Sequence, residues 1–224
     1  MSKKNKTDIL KTIVIILICI SFILASFLVG SIYYKYIGQE KPITKIKITE
    51  SDLLNSTTKI NLADTIIIGN TNAKNKVIWF VDYESPYAKK YYNLIYKKTK
   101  KNFIDKNNTV FYIKNFPQEN IHKNSVNTSK IVICAYNQNK TDEIFEEIFN
   151  NNINSTKNII EKFNINQTEF NNCLISEKTE NIIQKEAKEA YNLKIKTMPT
   201  FIVNDKKIEG VEPYFVWKKI LSSK

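Results

Sequence analysis

The chain has 224 residues and a net charge of +12, long enough for one membrane segment and one domain of ordinary size. All 34 basic residues are Lys, spread along the whole length beside abundant Asn and Ile. Without Arg, the residue suited to bidentate phosphate recognition, this charge reads as a solvated surface, and nucleic-acid binding is not expected.

Residues 12–34 hold no charge and lie between Lys11 and Lys35. A helix needs about 20 apolar residues to span a bilayer, whereas the apolar core of a secretory signal is shorter, about 7–15. Residues 12–34 are therefore expected to be an uncleaved signal-anchor. A cleaved signal peptide is the rival, because Ser26, Gly30 and Ser31 permit cleavage. Lys3, Lys4, Lys6 and Lys11 against Asp8 place residues 1–11 in the cytoplasm by the positive-inside rule. The expected product is a single-pass inner-membrane protein with an extracytoplasmic, periplasmic C-terminal domain. Cys19 follows Ile18 rather than a small residue and reads as a lipid-facing or buried thiol, not a lipid acceptor. Residues 35–64 read as a stalk, with Pro42, a short alternation at Ile43, Lys45, Ile46 and Ile48, and a polar stretch over 55–59.

Ile66–Ile68 is a short apolar piece ending at Gly69-Asn70. The run VIWFV at 77–81 reads as a buried strand and stops at Asp82-Tyr83-Glu84. Ser85-Pro86 then signals a helix start, Ser as N-cap and Pro at the first helical position. A strand running into a helix N-terminus offers free N–H groups to an anion or a thiolate. Tyr87, Tyr91, Leu94, Ile95 and Phe103 carry that helix to about Lys106, and Asn107-Asn108 turns the chain. Residues 109–114 (TVFYIK) alternate as a second strand, completing a βαβ unit.

Asn115-Phe116-Pro117 follows, then His122, the one histidine. Residues 124–192 carry five helical patterns, marked by Ile131 and Val132, by Ile144 and Phe145, by Ile159 and Ile160, by Phe170 and Leu174, and by Ile182 and Ile183. Residues 197–204 read as a strand entered by Pro199, with Lys207-Ile208-Glu209 as its hairpin partner. Pro213-Tyr214 opens a last helix through Leu221.

This order of motifs resembles the DsbA-like branch of the thioredoxin fold, over about Ile68 to Leu221. The resemblance rests on Gly69-Asn70 with Ala73-Lys74, the acidic-aromatic lead-in, Asn115-Phe116-Pro117 with His122, and Thr197-Met198-Pro199-Thr200. It implies an α/β thioredoxin-like fold over 65–224 with a helical block inserted at about 120–192, preceded by one N-terminal transmembrane helix. In that family the helix opens with Cys-Pro-His/Tyr-Cys; here the four positions are Ser85, Pro86, Tyr87 and Ala88. A serine hydroxyl does not ionise near neutrality and has no redox couple, so dithiol–disulfide exchange at this site is not expected. The resemblance also implies a cis Pro199 facing the helix N-terminus and a groove of Tyr87, Met198 and Pro199 for extended peptide. It implies a structural disulfide between Cys134 and Cys173, with two buried thiols as the other reading.

The expected role is a redox-inactive, peptide-binding or chaperone-like module of the cell envelope, with unfolded or extended polypeptides as partners. The alternative is an enzyme. Ser85-Pro86-Tyr87-Ala88 also resembles kappa-class glutathione transferases and hydroxychromene-carboxylate isomerases, in which Ser contacts glutathione sulfur. Glutathione is a cofactor under that alternative alone. No metal cluster, phosphate loop or hydrolytic triad is read from the sequence. Asp82 and Glu84 are expected to be solvated, and His122 to be a loop or packing residue.

Overall fold

The run NKVIWFV forms strand β2 (Asn75–Val81), in which Val77, Trp79, Phe80 and Val81 have no exposure. Branched and aromatic side chains suit a pleated surface covered on both faces. The structure is a computed structural model describing residues 11–14, 16–22, 24–26, 28, 60–150 and 156–223. The chain divides into two units, Met1–Lys47 and Ile48–Lys224.

In the second unit, β2 pairs in parallel with β3 (Thr109–Asn115) and antiparallel with β4 (Thr200–Val203). With β1 (Ile66–Ile68) and β5 (Lys206–Glu209) at the edges, the sheet order is β1-β3-β2-β4-β5. The crossover from β2 to β3 is a helix over 86–104, α1. It begins as Pro86–Tyr91 and contains two wide π turns, Tyr92–Tyr96 and Lys100–Ile104. Helices α2 (Ser125–Tyr136), α3 (Thr141–Asn150), α4 (Thr156–Phe163), α5 (Gln167–Leu174) and α6 (Glu177–Asn192) lie between β3 and β4, and α7 (Tyr214–Ser222) closes the domain.

Trp79 is the hub of the larger core. Its ring lies 5.0–6.3 Å from those of Tyr91, Tyr96, Phe145, Phe149 and Phe201, which joins β2 and β4 to α1 and α3. Rings of this kind contribute roughly 1.5–3 kcal/mol each on burial. Phe80, Phe116, Ala190, Ile195 and Ile202 form a second cluster, to which α6 contributes. Cys134 on α2 and Cys173 on α5 are joined by a disulfide, S–S 2.01 Å and Cα–Cα 5.7 Å. Gly69 has φ +104, and a Cβ there would stand 2.8 Å from the Thr109 carbonyl oxygen, so β1 can turn beside β3 only with glycine.

The structure departs from the sequence reading at three boundaries. Residues 60–64, read as the end of the stalk, lie against the domain, because Ile60 and Leu62 have apolar clusters to pack on. The hairpin strand begins at Thr200 rather than 197, since Pro199, whose bond to Met198 is cis, has no N–H to give the ladder. The helix after Ser85 ends at 104, and Asn107 turns the chain at φ 57.

The 43–48 alternation lies outside the described residues. Residues 12–34, expected to be an anchor, lie partly outside them. Those described within 11–28 are helical, with Ile13, Leu17, Phe22, Leu24 and Leu28 exposed and Cys19 a free thiol. Among the described residues no helix is long and apolar enough to cross a membrane.

Candidate functional site

Strand β2 ends at Val81, and after four intervening residues α1 begins. Thr200 pairs with Phe80, so Pro199, the residue before β4, reaches the same end of the sheet as the start of α1. Ser85 has the extended N-cap conformation, φ −65 and ψ 127, and Pro86 follows at the first helical position. The Ser85 N–H donates to the Asp82 carbonyl at 3.1 Å, and the Lys89 N–H donates to the Ser85 carbonyl at 3.1 Å.

Ser85 is 5 % exposed, but its hydroxyl accepts no capping hydrogen bond, contrary to the cap expected from the sequence. Two later helices do carry side-chain caps, whereas Asn124 before α2, like Ser85, makes none. Asn166 accepts from the N–H groups of Thr168 and Glu169, and Ser176 from that of Lys178. The first turn of α1 also lacks an acidic residue, so the positive end of the helix has no side-chain partner there.

The other candidates divide by environment. Ala88 is fully buried in the larger core, while Tyr87 is 61 % exposed. Met198 is half-buried and packs on the cluster of Phe80, Phe116 and Ile195. Ser85, Ala88 and Pro199 thus share one end of the sheet, and Met198 turns toward the cluster that α6 helps to form.

Asp82 corrects the sequence reading most. It is fully buried, not solvated. Its Oδ1 accepts the Glu84 N–H at 3.0 Å, and its Oδ2 accepts the Gln118 N–H at 3.0 Å and lies 2.7 Å from His122 Nδ1. The loop leaving β3 covers this carboxylate, which must then find its donors inside the protein. His122 is accordingly a hydrogen-bond partner of Asp82 rather than a packing residue. Glu84 adds a second tie, accepting the Thr128 hydroxyl at 3.2 Å and the Asn124 N–H at 3.3 Å. The two carboxylates pin the 116–128 stretch to the lead-in of α1. Asp82→Ala should cost about 2–3 kcal/mol, the usual loss for charge-assisted bonds whose donors stay behind. Urea unfolding and faster amide exchange at Gln118 check this; unchanged exchange there would contradict it.

Chemically, the site offers a hydroxyl, a helix N-terminus and a cis proline, with no sulfur at 85 or 88. The two cysteines of the domain are bonded to each other on α2 and α5. Among the described residues no group of three or more His, Cys, Asp or Glu could hold a metal ion.

A thioredoxin-type sheet, a helix N-terminus facing the strand ends and a helical block before β4 define a thioredoxin-fold domain of the DsbA-like class. The family model described as Thioredoxin matches residues 61–223, and the chain belongs to that family. Among solved structures, α-DsbA1 of Wolbachia pipientis superposes with a TM-score of 0.63 at 16 % identity, covering 76 % of this chain and 94 % of that one. BdbD from Bacillus subtilis, in its oxidised form, gives 0.62 at 21 %, covering 72 % and 92 %. The catalytic domain of Proteus mirabilis ScsC gives 0.56 at 19 %, covering 77 % and 92 %. At these identities the likeness is one of fold, and it is the fold of DsbA-like thiol–disulfide oxidoreductases. No curated protein matches the chain.

Proposed function

We propose that this protein is a membrane-anchored, redox-inactive member of the DsbA-like class that binds extended polypeptide at the cell envelope. The observation that carries the reading is the opening of α1: Ser85 and Ala88 stand where the class carries its cysteine pair, and no other thiol of the domain is free. Exchange needs a thiolate to attack and a second sulfur to resolve the mixed disulfide, and neither is at hand. What remains supports binding. Pro199 lies at the end of the sheet from which α1 starts, and Tyr87 in the first turn of α1 is exposed.

Residues 12–34 would hold the domain to the membrane, with residues 1–11 in the cytoplasm and the domain on the periplasmic side. The uncharged run and the lysines before it support this. The solved relatives named above are of the DsbA type, which favours this reading over glutathione chemistry at Ser85.

The test is an exchange assay on a scrambled-disulfide substrate, with photo-crosslinking from Tyr87 in intact cells. We expect no exchange by the wild-type protein, gain of exchange in the Ser85→Cys/Ala88→Cys variant, and crosslinks to envelope polypeptides. Exchange by the wild type, or crosslinking that captures no polypeptide, would overturn the reading.

A further inference from the structure

Lys114 lies near the end of β3 with 2 % of its side chain exposed. Its ammonium has three donors. They meet the Asn61 carbonyl at 2.6 Å, Glu189 Oε2 at 2.9 Å and Thr65 Oγ1 at 3.3 Å, while Glu186 Oε1 stands further off at 3.9 Å. Glu189 uses its other oxygen to accept the Asn61 N–H at 2.6 Å. Asn61 is therefore gripped at both backbone groups, one by Lys114 and one by Glu189.

Glu186, 4 % exposed, commits Oε2 to Asn115, accepting its backbone N–H at 2.8 Å and its side-chain amide at 2.6 Å. Its Oε1 is buried with no hydrogen-bond partner. Beside it lies a pocket of about 120 Å³ lined by Asn61, Asp64, Lys114, Lys185, Glu186 and Glu189, room for several water molecules.

The buried Glu186 and the largely covered Glu189 share one buried ammonium. With both ionised, the cluster holds a surplus negative charge away from water, which is costly; with Glu186 neutral, Lys114 and Glu189 balance. The other charged groups at the pocket are Lys185 on α6 and Asp64 on the segment before β1, and Asp64 also lies 3.9 Å from Lys178. The Tyr83 phenol, just after β2, is neutral and far from titrating, raised by burial and by Glu186. Burial, aided by Glu189, outweighs Lys114 and the Asn115 donors and pushes the Glu186 carboxyl up to about 7.

We propose that Lys114, Glu186 and Glu189 form a pH-gated clasp: with Glu186 protonated on Oε1, Lys114 and Glu189 hold Asn61 closed on the sheet, and with Glu186 ionised, Lys114 is drawn from Asn61 and water enters the pocket. The clasp is tight on the acid side of neutrality and loose on the alkaline side. It also adjoins the end of β2 that leads into α1, because Asn115, the partner of Glu186, is followed by Phe116, whose N–H donates to the Val81 carbonyl at 2.8 Å.

Amide hydrogen exchange on the full-length chain tests it, read at Asn61 and at Ala63, whose N–H donates to Asn61 Oδ1 at 2.9 Å. Rates are taken from about pH 5.5 to about pH 8.5 and divided by the intrinsic rate at each pH. Wild-type protection should fall by about ten-fold or more through neutrality, and Glu186→Gln should keep the acid-side protection throughout. Protection in the wild type that does not change with pH, or a Glu186→Gln variant that follows the wild-type curve, overturns the proposal. A carbon NMR titration of the Glu186 carboxyl needs no variant; a midpoint below about 5.5, in the ordinary carboxylate range, overturns it as well.

Discussion

Lys114→Met is expected to lower the unfolding free energy by about 3–5 kcal/mol near pH 8, and by clearly less near pH 5.5. The methionine fills the volume but leaves Glu186 and Glu189 facing each other without the buried cation between them. Near pH 8 both carboxylates must be held as charges or take up protons against the bulk, and either route costs stability. Near pH 5.5 the folded protein already holds Glu186 neutral, so one unpaired charge remains.

The wild type carries the same dependence in milder form. Its Glu186 carboxyl sits at about 7 against an ordinary 4.5, so between these values the folded state keeps a proton that the unfolded state has released. Stability from this source is complete below about pH 4.5, declines as pH rises to about 7, and is lost above it. The full span corresponds to roughly 3 kcal/mol. Urea denaturation of both proteins at the two pH values checks the prediction. Equal losses at both would mean that Lys114 and Glu186 do not share the cluster's charge.

Replacing Cys134 and Cys173 together by Ala should cost about 3–4 kcal/mol, the chain-entropy value for a loop of this length. The cysteines are 39 positions apart. The loss should be uneven. Cys134 is fully buried on α2, whereas α5 buries Phe170 alone among its eight residues. Beyond the disulfide, the segment before α5 is held to the end of α2 by a reciprocal pair: the Asn166 N–H donates to Gln138 Oε1 at 2.8 Å, and Gln138 Nε2 donates to the Asn166 carbonyl at 3.2 Å. Asn166 is exposed and Gln138 only partly buried, so water competes for these bonds. Amide exchange should therefore accelerate more in α5 than in β2 or β3, and uniform acceleration would count against this account. Alkylation mapping of the chain isolated from cells reads compartment at the same time, because such a bond persists in an oxidising space and not in the cytosol.

Most of the fold was legible because the signals that set it are local. The aromatic run before Asp82, the Ser-Pro step, the alternation of 109–114 and the helical spacing of 124–192 each specify an element within a few residues. The Asn107 turn and the Pro213-Tyr214 helix start were legible for the same reason. The candidate site was legible as a position, the helix start opposite a proline-entered strand, and as chemistry through the missing cysteines. Its polar contacts were not. Asp82 looked like a solvated strand-end carboxylate, and only the loop that returns 36 to 40 positions later, with Gln118 and His122, covers it. A buried aspartate beside the lone histidine was the one signal available, and it has no fixed spacing to recognise.

Lys114 makes the same point more strongly. At the end of an aromatic strand it reads as a lysine reaching into water, and its partners Glu186 and Glu189 lie more than 70 positions away on α6. The sequence by itself determined the α/β order, the parallel crossover, the helical block and the loss of sulfur at the start of α1, since these follow from residue type and short-range periodicity. Tertiary structure alone decided which carboxylates are dry, which hydroxyls go without a bond and where a lysine is sealed beneath a helix. Burial of a polar group depends on what packs over it, and that cover comes from elements distant in the chain.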